Sequence, residues 1–105
     1  MARFSFVVYS NPEEGREQEY NDWYSNQHLK DLLAIPGVLS ARRFKLSDTQ
    51  IHAGAQPYRY LAIYEIESDG VKSFLEEMTL RTSSGSMVVS SAMSPDVLPV
   101  FWEPL

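Results

Sequence analysis

The chain contains no cysteine, which excludes disulfides, thiol nucleophiles and thiolate metal sites. It also lacks any apolar run near the roughly 18 residues needed to cross a bilayer as a helix. Basic residues are in the minority: 9 Lys and Arg stand against 14 Asp and Glu, for a net charge of −5. That balance opposes binding to nucleic acid, and the densest basic patch, Arg42-Arg43 with Lys45, is too short to reverse it. There are two histidines, His28 and His52, and neither has a carboxylate at HExxH-like spacing, so no metal site is expected. No Gly-x-Ser-x-Gly elbow and no glycine-rich phosphate loop occurs, which disfavours a serine hydrolase and nucleotide binding. No cofactor is implied. The start, Met1 to Val8, has no long apolar core or small-residue cleavage pattern, so a cytoplasmic protein is expected.

What remains is suited to a packed globule. A chain of 105 residues with 44% hydrophobic and 12% aromatic side chains can form one domain over 1–105 with a small core. Arg3 to Tyr9 alternates Phe4, Phe6 and Val8 with Ser5, Val7 and Tyr9, which predicts a strand with two partly apolar faces. Asn11-Pro12 then breaks the strand, and the acids Glu13 and Glu14 suit the first turn of a helix. That helix is expected to reach Ile35, with a possible break near Asn26 to His28, and Pro36-Gly37 stops it. Val38 to Leu46 and Tyr58 to Ile66 read as strands, joined by a polar loop. Ser68-Asp69-Gly70 offers an N-cap for a helix over Val71 to Arg81, whose apolar face is Val71, Phe74, Leu75, Met78 and Leu80. Thr82 to Pro95 reads as a loop, either a mobile lid or an arm on a partner subunit. Val97 to Trp102 is the last strand, and Pro99 places it at an edge.

The order strand, helix, strand, strand, helix, strand predicts an α+β, ferredoxin-like βαββαβ domain, with two helices on one face of a four-stranded antiparallel sheet. The other face would then be open. Val7, Tyr9 and Phe44 bring apolar character to it. The strand at Tyr58 to Ile66 divides into Leu61 and Ile63 on one side and Tyr58, Tyr60, Ala62, Tyr64 and Ile66 on the other, and the tyrosine set is expected on the open face. Such a surface predicts a homodimer that packs sheet against sheet.

The most informative stretch is Tyr20 to Gly37. In a continuous α-helix Tyr20, Tyr24 and His28 recur every four residues along one face, with Trp23 beside them. The run Tyr20-x-x-Trp23-Tyr24-x-x-x-His28-Leu29-x-Asp31-Leu32-Leu33-x-x-Pro36-Gly37-Val38, followed by Ala41-Arg42-Arg43-Phe44, resembles the EthD-like families of the dimeric α+β-barrel superfamily. Tyr60 to Glu65 and the Trp102-Glu103-Pro104 tail extend the likeness over most of the chain. The resemblance implies the ferredoxin-like fold, a homodimer, and a pocket between the sheet and the first helix. It fixes no single reaction, because the superfamily includes cyclases and dehydratases, cofactor-independent monooxygenases, isomerases and proteins of no known activity. Many relatives carry proline two residues after the histidine, where this chain has Lys30, so the orientation of His28 is open.

His28 is therefore the candidate catalytic residue, a general acid or base near neutral pH. Asp31, three residues on, is expected to hold its other nitrogen. A histidine that merely packs at a helix kink is the competing reading. Tyr20, Trp23 and Tyr24 would line the pocket. Tyr60 and Tyr64 would present hydroxyls to a ligand or pack the dimer. Arg42 would face an acidic ligand, or else pair with Glu65 or Glu67. The leading expectation is a small homodimeric enzyme moving protons on a small apolar or aromatic metabolite without metal, by dehydration, cyclisation or isomerisation. The alternatives are a cofactor-independent monooxygenase and a non-catalytic, stress-associated protein that binds a hydrophobic ligand.

Overall fold

The structure is a computed structural model and describes residues 1–105. Four strands, β1 (Ala2–Ser10), β2 (Val38–Lys45), β3 (Tyr60–Ser68) and β4 (Leu98–Trp102), form one antiparallel sheet in the order β2-β3-β1-β4. Between β1 and β2 runs a helical rod built from α1 (Glu17–Trp23), a π-helical turn (Tyr24–His28) and α2 (Leu29–Leu33); α3 (Val71–Ser83) links β3 to β4. This is the ferredoxin-like βαββαβ order, and the fold class expected from the sequence is the one observed. Pro99 lies on the edge strand β4, where a missing backbone donor is tolerated.

Register decides which side of the sheet is inside. Phe4 pairs with Ile66, Phe6 with Tyr64 and Phe101, and Ala41 with Tyr64. Paired residues share a face, and this face is covered by Tyr20, Tyr24, Leu32 and Ile35 of the rod segment and by Phe74 of α3. Phe6 stacks on Phe101 at 4.5 Å between ring centroids, and Phe74 meets Phe4 edge-on at 6.0 Å. The tyrosine side of β3 is therefore the inner side. Tyr60 and Tyr64 do not lie on the open face as expected; they are buried among the core residues. Strand alternation gives two sets of side chains without saying which is covered, and here the more aromatic set went inside, where it removes more apolar area from water.

The uncovered face carries Val7, Tyr9, Leu61, Ile63, Val100 and Phe44, set by the pairs Val7–Ile63, Val7–Val100, Tyr9–Leu61 and Phe44–Leu61. At one end of it the loop after β2 folds over to enclose an apolar cleft of about 390 Å³ against Tyr9, Phe44, Leu61 and Leu98.

Three local expectations are corrected. The first helix begins at Glu17 rather than at Glu13 or Glu14, because Arg16 N–H already bonds back to Glu13 O (3.0 Å) in a turn before it. No side chain of Ser68 or Asp69 caps α3: Gly70 occupies the cap, and Ser68 Oγ instead closes a local turn with the Gly70 backbone. Of the apolar residues of α3, Phe74 is buried while Leu75 and Leu80 are exposed. The segment after α3 folds back on its own chain. Met87 and Ala92 are buried, Glu13 N–H bonds Ala92 O (2.7 Å), Ser94 N–H bonds Asn11 O (2.9 Å), and Arg16 grips the Ser91 carbonyl and hydroxyl.

Gly37, at the end of the Pro-Gly stop, has φ +99°, and a Cβ there would sit 2.5 Å from the Glu67 carbonyl oxygen. Only glycine lets β2 enter this close beside β3, where Glu67 N–H bonds Gly37 O at 2.8 Å.

Candidate functional site

The π turn shapes the site. Leu29 N–H bonds back to Tyr24 O, five residues away, in place of the four-residue spacing of an α-helix. In an α-helix residues five apart point about 140° away from each other. The wider turn brings them onto one side. As a result the His28 ring stacks on Trp23 (4.6 Å, 27° between planes) and meets the edge of Tyr24 (5.0 Å). Single π turns in otherwise α-helical rods often mark functional positions.

His28 Nδ1 is buried and has no hydrogen-bond partner. Burial, the largest influence, pushes the imidazole down from 6.5 to about 4; Asp31 acts against this and the Arg43 charge acts with it. At neutral pH the ring is uncharged, so it can accept a proton but has none to donate as imidazolium. Asp31 does not hold the ring as expected. Its Oδ1 accepts a hydrogen bond from Gln27 Nε2 at 2.7 Å, a partner four residues away on the same face.

Across the interior from the rod stands Arg43, which the sequence analysis passed over in favour of Arg42. Arg43 shares the inner face of β2 with Ala41, and its guanidinium lies over the rings of Tyr24 (4.4 Å), Tyr20 (5.2 Å) and Tyr60 (5.3 Å). Nη2 donates to Asn21 Oδ1 (2.9 Å) and Nη1 to Ser25 Oγ (3.0 Å), while the buried Nε has no partner. Arg43 makes no ion pair. Parity was the missed signal: once Tyr64 is known to face inward, Ala41 and then Arg43 follow.

Arg42 lies on the open face, with its guanidinium 4.9 Å from the Phe44 ring. It pairs with neither Glu65 nor Glu67: Ser5 Oγ bonds Glu65, and Arg3 bridges to Glu67 at 3.6 Å.

The tyrosines fall into three roles. Tyr20 is fully buried and shares a 2.6 Å hydrogen bond with Ser10 Oγ. Tyr60 donates a short hydrogen bond to Glu17 Oε2 and accepts one from Asn21 Nδ2 (3.3 Å), so it ties α1 to β3. Tyr24 and Tyr64 are buried with neither hydroxyl bonded. Burial pushes Tyr24 up to about 12 and Tyr64 well above its ordinary range, so both stay protonated at neutral pH.

Beside the rod a cavity of about 330 Å³ opens between Trp23, Gln27 and Asp31 on one wall and Ser86, Val88 and Ser90 on the other. Trp23 belongs both to this wall and to the His28 stack. His28 itself does not line the cavity.

No protein-family profile matches the chain, and no curated protein matches it in sequence. Solved structures do match in fold. A DABB family protein with a ferredoxin-like fold from Mesorhizobium loti superposes with a TM-score of 0.69 at 14% identity, over 100% of this chain and 99% of its own. An EthD family protein from Bacillus halodurans gives 0.55 at 14% identity, over 100% of both chains. A dimeric ferredoxin-like protein of unknown function from Thermobifida fusca gives 0.57 at 9% identity, over 98% of this chain and 92% of its own. The resemblance to EthD-like proteins carried by the Trp-Tyr…His…Pro-Gly run is thus joined by a common three-dimensional frame: the chain has the ferredoxin-like α+β fold of EthD and DABB family structures.

Proposed function

We propose that this protein is a metal-free proton-transfer enzyme acting on a small, planar, enolisable carbonyl compound, with His28 as the base. The carrying observation is the neutral imidazole: a buried Nδ1 without a partner, stacked on Trp23 and facing an interior that holds one cation, Arg43. With the ring proton on Nε2, Nδ1 takes a proton from carbon. The bonding pair moves into the carbonyl to give an enolate, and the imidazolium returns a proton to that carbon or to another. Arg43 favours the enolate by its charge. A depressed imidazole is a weak base on its own, but an anion formed in the same enclosure offsets the burial penalty on the imidazolium and raises its proton affinity at that moment.

The working unit in this proposal is a homodimer with the open sheet faces packed together. Leu61, Ile63 and Val100 are partly exposed apolar side chains on that face, with Val7 buried between its neighbours, and the Thermobifida fusca protein of the same fold is dimeric.

The test is exchange of solvent deuterium into the α-carbon of phenylacetone, followed by proton NMR. The protein accelerates exchange above the buffer rate and His28→Gln abolishes the acceleration. Equal acceleration by both proteins would sink the base assignment.

A further inference from the structure

The apolar cleft at the end of the open sheet face takes no part in the chemistry above: His28, Trp23 and Arg43 all lie outside its lining. It occupies the last row of that face, where Tyr9 pairs with Leu61 and Leu98, and Phe44 with Leu61. Its volume of about 390 Å³ falls within the range of small-molecule sites. Phe44, Leu46 and Leu98 around it are each more than a third exposed. Apolar surface is therefore left in water at this end of the sheet, and a ligand would cover it.

The walls of the cleft are tied in place. Asn11 Nδ2 donates to Pro57 O (2.9 Å) and Asn11 Oδ1 accepts from Arg59 N–H (2.8 Å), which fastens the returning end of the β2–β3 loop to the chain after β1. Leu46 N–H bonds Arg59 O at 2.7 Å and closes the neck of the same loop. Tyr58 Oη donates to Asp96 Oδ1 (3.1 Å), and its ring leans on Tyr9 at 6.0 Å between centroids. Walls held by ties from distant parts of the chain are pre-organised, which lowers the cost of binding.

Charge indicates what the cleft takes. Lys45 and Arg59 both line it, and none of the chain's 14 acids does. That local balance is the reverse of the protein's net −5. Lys45 makes no ion pair, and Arg59 has only a 3.5 Å contact to Glu17, with both side chains about half exposed. Such a contact contributes little and exchanges readily for another anion. Glu17 is in any case held by the Tyr60 hydroxyl. An apolar groove edged by available cations fits a ligand with an apolar body and one anionic end, and the rings of Tyr9, Tyr58 and Phe44 favour a flat ring over a flexible chain. We infer that this cleft is a second binding site, for an aromatic carboxylate whose ring lies among Tyr9, Tyr58, Phe44 and Leu98 and whose carboxylate meets Lys45 and Arg59. The site stands apart from the proton transfer assigned to His28 and does not depend on it.

The probes are 2-naphthoate and its neutral isostere 2-naphthamide, titrated into the intact protein by calorimetry. Naphthoate binds saturably, one per chain, and about tenfold tighter than the amide, the effect of two partly exposed charge pairs together. Lys45→Glu weakens naphthoate about tenfold or more and leaves the amide within about twofold, which separates charge recognition from packing. Phe44→Ala weakens both probes alike, by about threefold or more, because both lose the same apolar contact. Salt gives the charge reading in the unaltered protein, whatever the variants do. Between about 0.01 M and about 1 M the preference for naphthoate shrinks as the screening length falls from about 30 Å to about 3 Å. His28→Gln binds naphthoate as the wild type does. No saturable binding, equal affinity for the two probes at low salt, or affinities unmoved by both Lys45→Glu and Phe44→Ala would overturn the site. Loss of naphthoate binding in His28→Gln would also overturn it, by placing the ligand in the interior.

Discussion

Burial of His28 has a consequence for stability that can be measured without any ligand. The fold holds the imidazole at about 4 against an ordinary 6.5. Above pH 6.5 the ring is neutral in both the folded and the unfolded chain, and its contribution is fully present. As the pH falls toward 4, the unfolded chain takes up a proton that the fold refuses, so unfolding becomes easier. Below about 4 both states bind the proton and the loss is complete. At 1.36 kcal/mol for each pH unit, the interval amounts to about 3 kcal/mol, and about 2 kcal/mol after allowance for the partly exposed ring. The perturbation is His28→Gln, and the assay is urea unfolding from about pH 7.5 down to about pH 4 for both proteins. Exposed carboxylates such as Glu17 and Glu19 titrate in both proteins and cancel in the difference. The wild type loses about 2–3 kcal/mol more than the variant over this range, most of it before the carboxylates begin to titrate. Parallel stability curves would refute a buried, neutral His28.

Other consequences follow from single contacts. Gly37→Ala places a Cβ 2.5 Å from the Glu67 carbonyl at φ +99° and lowers stability by about 2–4 kcal/mol in chemical unfolding. Tyr20→Phe leaves the buried Ser10 hydroxyl without its 2.6 Å partner and lowers the urea midpoint by the equivalent of about 1–2 kcal/mol, with m unchanged. Ile63→Asp puts a charge at the centre of the open apolar face and converts the proposed dimer to a folded monomer in light scattering; a variant that remains dimeric places the interface elsewhere.

Much of the frame was legible from periodicity and punctuation. Asn11-Pro12, Pro36-Gly37 and Gly70 fall at element ends, and the strand at β3 stands out by its Tyr and Ile content. Facing was not legible. Tyr60 and Tyr64 alternate with Leu61 and Ile63 in a strand apolar on both sides, and only the pairing of Tyr64 with Phe6 and Ala41 fixes which set is inside. The same ambiguity hid Arg43 behind Arg42, since adjacent strand residues point to opposite faces and the choice follows the sheet. The π turn was visible only as a suspected break near His28, because no residue type signals an i→i+5 bond. Asp31 was assigned to His28 on helical spacing, but Gln27 has equally good spacing and an amide donor suited to a carboxylate.

The central claim is that a neutral His28 removes a proton from carbon, and the pH profile of the exchange reaction tests it most directly. With phenylacetone below saturation, the rate constant for deuterium uptake would be followed from about pH 3 to about pH 8. The account predicts a rise with a midpoint near 4, where the free imidazole loses its proton, then a plateau through neutrality, with both features absent in His28→Gln. A midpoint near 6.5 would mean an imidazole that is not desolvated as described, and a profile unchanged by the substitution would assign the proton to another group.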